Sequence, residues 1–319
     1  MKISKKKKIL IVVSIITLLL IAIVIPIITH TVQSVKKIGY IVDLMTGKKA
    51  EEETTTDKMI TAFVNKRNPR IYRKYAASKL GHTLKDPKAV EPLIKVLQDK
   101  TEHELIRAEA AFTLGLIGDK RAIEPLIEAL NDESYEVQIH VLRGLVKFKD
   151  KRIVKPLLAV TKSEDPKKRA IAAKGLTVDT PEVVKTLVKL IKEDPYFYSK
   201  HKAVKALGEM RTKNEEAFQV LLEVLNGKYV EQEYDNSDRR LLRKSATIAL
   251  GKIGDKRVVE PLIKILEEDV EIDVQAAIAL GNLGDKRALE SLTKKMEEYK
   301  HKAHIMKDLN EAYRKLTER

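Results

Sequence analysis

"LGLIGDKRAIEPLIEAL", residues 114–130, decides how this chain folds. Its apolar residues Ile123, Leu126, Ile127 and Leu130 fall at i, i+3, i+4 and i+7, which is one stripe of an α-helix. Ahead of that stripe, "GDKR" joins a stop signal to a start signal. Gly118 stands where a helix ends in a left-handed residue, a conformation glycine adopts without a side-chain clash. Asp119 is of the type that accepts hydrogen bonds from the free N–H groups opening a helix. Pro125 comes early in that helix, where a missing donor matters least. The stretch reads as helix, tight joint, helix.

The joint recurs. "GDKR" stands again at residues 254–257 and 284–287, each time after Leu-Gly-x-(Ile or Leu). The helical frame after it occurs seven times, with first apolar residues Val90, Ile123, Val154, Val184, Phe218, Val259 and Leu289. The spacings are 33, 31, 30, 34, 41 and 30 residues, the range of stacked helical repeats. Alanine-rich segments such as "RAEAAFTLG" and "RKSATIALG" precede the joints. Alanine and glycine there let a neighbouring helix approach closely.

This frame, "LGxIGDKRxxEPLIxxL" with an alanine-rich second helix, resembles HEAT repeats, specifically the short type of phycobilisome-lyase-like proteins. The resemblance runs over residues 57–317. It implies an all-α fold, an α-solenoid of about eight helix pairs that bury a continuous core. In such proteins the second helices are the usual candidates for the concave, binding face. Terminal units are expected to be atypical. The first, around Ile60, Phe63 and Val64, diverges, and the last sets Leu309, Ala312, Tyr313 and Leu316 against a charged face.

Before the repeats, "ILIVVSIITLLLIAIVIPII" at residues 9–28 carries no charge. As a helix rising about 1.5 Å per residue it would span roughly 30 Å, a bilayer's hydrocarbon core. It is longer than the apolar region of a cleaved signal, and "THTVQS" after it has no small-x-small site. An N-terminal transmembrane helix is therefore expected. The domains read as a basic cytoplasmic tail (1–8), an anchor (9–28), a juxtamembrane stalk (29–56) and the solenoid (57–319). Lys2, Lys5, Lys6, Lys7 and Lys8 precede the anchor, so the positive-inside tendency places the solenoid outside the cytoplasm.

Those five lysines account for a third of the net charge of +15; the rest has 56 basic and 46 acidic residues, or +10. That excess permits anionic partners without demanding them. The absence of cysteine excludes disulfides, cysteine nucleophiles and thiolate-bound zinc. No phosphate-binding loop, dinucleotide fingerprint or calcium loop occurs, and "HELIR" from His103 lacks the second histidine of a zinc helix. His301 and His304, near Glu297 and Glu298, read as exposed polar residues of a capping helix rather than a metal site. No catalytic, cofactor or metal residue is assigned.

Two segments depart from the frame. "NGKYVEQEYDNSDRRLLRK", residues 226–244, is an insertion whose Tyr229, Tyr234, Arg239, Arg240, Arg243 and Lys244 are candidates for a partner surface. The competing reading is a solvated loop followed by an exposed helix face. "DPYFYSKHK", residues 194–202, concentrates aromatics that either pack between repeats or form a partner patch.

The expected function is a membrane-anchored, non-catalytic scaffold for protein–protein interaction. The alternative is a basic solenoid that binds an anionic polymer or lipid headgroups. A bilin-lyase-like enzyme is suggested by the resemblance alone, and nucleic acid is a poor partner for an outward-facing domain.

Overall fold

A computed structural model describes residues 55–229 and 235–318. The chain divides into two compact units, Met1–Ala76 and Ala77–Arg319. Among the described residues there are sixteen α-helices and no strand.

In the first unit, α1 (Thr56–Val64) opens on Thr55, whose side chain accepts the Lys58 N–H. Its buried stripe is Met59, Ala62 and Phe63, whereas Val64, at its end, is 38% exposed. Helix α2 (Arg70–Ser78) runs across the boundary between the units.

Seven helix pairs follow. They are α3 (Val90–Gln98) with α4 (Glu104–Ile117), α5 (Ile123–Glu128) with α6 (Tyr135–Leu145), and α7 (Val154–Val160) with α8 (Pro166–Gly175). Next come α9 (Pro181–Glu193) with α10 (Phe197–Met210) and α11 (Glu215–Leu225) with α12 (Asn236–Ile253). The last are α13 (Val259–Glu268) with α14 (Asp273–Leu283) and α15 (Leu289–Glu298) with α16 (Ala303–Thr317). The even-numbered second helices from α4 to α16 pack on one another in chain order, as a solenoid requires.

The joint works as its residues dictate, with one addition. Gly118, Gly254 and Gly284 have φ of 79°, 81° and 67°, and their N–H groups close the helix on the carbonyls of Leu114, Leu250 and Leu280. Asp119 accepts the N–H of Arg121 at 2.9 Å, but the turn it caps is a single 3-10 turn, Lys120–Ala122, inserted before α5. Asp255 and Asp285 cap equivalent turns. That turn satisfies the free donors at the joint before the α-helix begins, so Pro125 is the third residue of α5.

The glycine three residues before the joint has a different task. A Cβ built on Gly115 would lie 2.3 Å from the Cα of Gly144, and one on Gly251 would lie 2.7 Å from the Cβ of Ala279. Successive second helices therefore touch backbone to backbone, as the small residues led one to expect.

One expectation is corrected. Among the described residues no helix is long and apolar enough to cross a membrane. The longest, α12, has 18 residues and carries Asp238, Arg239, Arg240, Arg243, Lys244 and Lys252. The single-pass topology and extracytoplasmic placement are therefore not supported. The stretch that suggested them, residues 9–28, lies outside the described residues, as do the tail 1–8 and the stalk up to residue 54.

Candidate functional site

Charges on this solenoid are of two kinds, those consumed by the repeats and those left over. The joint arginines are consumed. Arg121, Arg152, Arg257 and Arg287 each bind the aspartate of their own joint, Asp119, Asp150, Asp255 and Asp285. Each also reaches a glutamate of a preceding repeat: Glu91 at 3.6 Å, Glu124 at 3.4 Å, Glu215 at 2.9 Å and Glu260 at 2.7 Å. The arginine bond is the first reason that the Asp150 and Asp285 carboxyls are held at about 2.

A second set lies deeper. Arg107, Arg169 and Arg243 occupy one position of three second helices, and each pairs with the aspartate just after the first helix of the next pair. The distances are 2.9 Å to Asp132, 2.7 Å to Asp194 and 2.7 Å to Asp269. Burial pushes the Asp132 carboxyl up, but bonds from Arg107, Lys100 and the Ser134 N–H outweigh it and hold the group at about 2.

The surplus cations gather on the second-helix face. Leu114, Leu145, Leu176, Leu207, Leu250 and Leu280 are fully buried at one step of six successive units. Two residues before them stand Phe112, Arg143, Lys174, Lys205, Ile248 and Ile278, all exposed or half-buried. Three consecutive members of this row are cationic. Arg143, Lys147, Lys174 and Lys202 share a cavity of about 310 Å³ with Phe112 and Ile171. Beyond it, Lys205 and Lys244 line one of about 210 Å³ with Leu241, Ile248 and the ion pair of Glu209 with Lys252.

Among the described residues, none of Arg143, Lys147, Lys174, Lys202, Lys205 or Lys244 has an ion-pair partner within the chain. Their mutual repulsion is felt. Burial first, then Lys205 and Lys174, push the Lys202 ammonium below the ordinary lysine value. Burial, Lys202 and Lys205 push the neighbouring His201 down to about 4. The face suits an anionic ligand that also presents apolar groups.

The insertion residues separate. Arg243 turns to the Leu225 carbonyl and Asp269, whereas its neighbour Lys244 joins the cationic face. Arg240 is exposed and Arg239 half-buried on α12. Tyr229, with φ of 62°, donates its hydroxyl to Glu223 at 2.6 Å. Tyr234 lies outside the described residues. In the aromatic segment, Phe197 is buried and stacks on His201, while Tyr198 is 50% exposed. That segment thus serves both packing and surface. Among the described residues no group of three or more His, Asp or Glu is placed to hold a metal ion.

Sequence reasoning missed Arg143, Lys174, Lys202 and Lys205. The signal was present in the repeat frame, since aligning the units on their buried leucines reads Phe, Arg, Lys, Lys, Ile, Ile down one column.

Stacked helix pairs with these joints define an α-solenoid. The chain belongs to the HEAT-repeat family: the family's HEAT repeats match residues 56–137, 99–164, 123–177, 154–232 and 227–301. Among solved structures, the Escherichia coli protein YibA is similar at 23% identity and a TM-score of 0.54, over 83% of this chain and 93% of that one. The complex of CpcE and CpcF of phycocyanin lyase from Nostoc is 22% identical, with a TM-score of 0.48 over 77% of this chain and 95% of that one. Human deoxyhypusine hydroxylase is 18% identical, with a TM-score of 0.36 over 83% and 96%. Identities this low speak for the fold alone. No curated protein matches the chain.

Proposed function

We propose that this chain is a non-catalytic scaffold that docks a protein partner on the second-helix face of its central repeats. One observation carries the reading. Among the described residues, six cations on that face have no ion-pair partner and stand beside apolar side chains, in a molecule that pairs its joint arginines twice over. Like charges held together weaken the fold slightly, and a partner of opposite sign removes that penalty. Apolar neighbours such as Phe112 and Ile248 supply the area that desolvates on docking.

A photo-crosslinking residue in place of Lys174, in the full-length chain in its native cells, tests this. The same residue in place of Lys155, exposed on the first helix α7, is the control. Discrete protein adducts from position 174 and none from 155 are expected. Position 174 yielding nothing beyond the control would sink the scaffold reading.

A further inference from the structure

The spacing of the cations specifies more than their sign. Arg143, Lys174 and Lys205 hold one frame position on α6, on α8 and on α10, and these helices pack in that order. Packed helices lie about 8–10 Å apart; the close approaches at Gly115, of α4 on α6, and at Gly208, of α10 on α12, flank the cationic steps. A peptide in the extended polyproline II conformation rises about 3.1 Å per residue with three residues per turn, so every third side chain faces the same way, roughly one helix spacing from the last. The row continues as Phe112 on one side and as Ile248 and Ile278 on the other.

Resting on the scaffold reading above, we propose that the docked segment is an extended acidic peptide crossing the second helices, with a carboxylate at every third residue and apolar side chains at both ends. Arg143, Lys174 and Lys205 each take one carboxylate. Phe112 and Ile248 receive the apolar ends. Lys147, Lys202 and Lys244 flank the row and raise the potential along it. Single-stranded nucleic acid fits less well: its bases want aromatic platforms, and the row closes on two isoleucines.

The test uses full-length protein and fluorescent synthetic peptides. In one peptide aspartates occupy every third position between leucine-containing ends; in the other the same residues place aspartate at every second position. The first should bind about tenfold tighter than the second, and its affinity should fall as salt rises. The double variant Lys174→Glu, Lys205→Glu should lose about tenfold or more in affinity with an unchanged melting temperature, because both side chains are exposed. A peptide with lysine for each aspartate should then bind that variant better than it binds the wild type. Equal affinity for the two aspartate peptides overturns the proposal. So does tighter binding of oligothymidylate or of phosphatidylserine vesicles than of the spaced peptide. If the peptides fail while crosslinking from position 174 persists, the spacing falls and the scaffold reading stands. If crosslinking fails, the scaffold reading falls.

Discussion

Arg287 Nη1 lies 2.7 Å from Glu260 Oε1, so a guanidinium in one joint grips the carboxylate near the start of the first helix one repeat earlier. The same guanidinium holds Asp285 at 2.9 Å, and that aspartate caps the turn. One side chain therefore ties a local cap to a neighbour 27 residues away. Both partners of the inter-repeat pair are exposed, which limits its strength. Arg287→Ala should lower the melting temperature slightly in low salt, and the difference should shrink in high salt. An effect that does not change with salt would mean that packing, not charge, holds the joint.

The two glycines of one joint should respond differently to alanine. At Gly115 the added methyl meets the backbone of Gly144 at 2.3 Å, so helix α4 must move off α6. Gly118 has open space around it and pays only for its φ of 79°. Gly118→Ala should cost about 1–2 kcal/mol and Gly115→Ala about 3 kcal/mol, read from urea midpoints. Equal costs would show that the stack yields more easily than its contacts imply.

Asp132 should dominate the acid limb. Its folded value of about 2 lies below the ordinary aspartate value of about 3.9, so the unfolded chain takes up its proton first as pH falls. The stabilisation is complete above about pH 4 and is lost as pH falls toward 2. Asp132→Ala strands the buried Arg107 guanidinium and should cost about 3–5 kcal/mol at neutral pH. Its stability should be flatter than that of the wild type below pH 4.

His201 should act at milder pH. Its ring is buried on Phe197, its Nδ1 has no hydrogen-bond partner among the described residues, and its folded value is about 4. The unfolded histidine protonates near pH 6.5, so stability falls from that pH down to about 4. His201→Phe should remove this slope and leave the Asp132 limb below it untouched. A slope that survives the substitution would assign it to another group.

The fold was largely legible before any coordinates. The left-handed glycines at 118, 254 and 284 and the stripe from Ile123 to Leu130 were read from residues within a turn or two of each other. The membrane assignment came from a stretch outside the described residues, and no described helix supports it. The insertion departs from the repeat spacing, yet Arg243, one of its candidate partner residues, pairs with Asp269.

What the sequence determined by itself is the succession of helix, joint and helix, because caps, left-handed glycines and i, i+3, i+4 stripes depend on neighbours along the chain. What only the tertiary structure decided is which charges are free. Arg107 and Arg143 look alike in the sequence, but stacking brings Asp132 to the first and, among the described residues, no carboxylate to the second. The partner that neutralises a charge comes from the next repeat, and the inter-helix contact that delivers it is invisible to any local pattern.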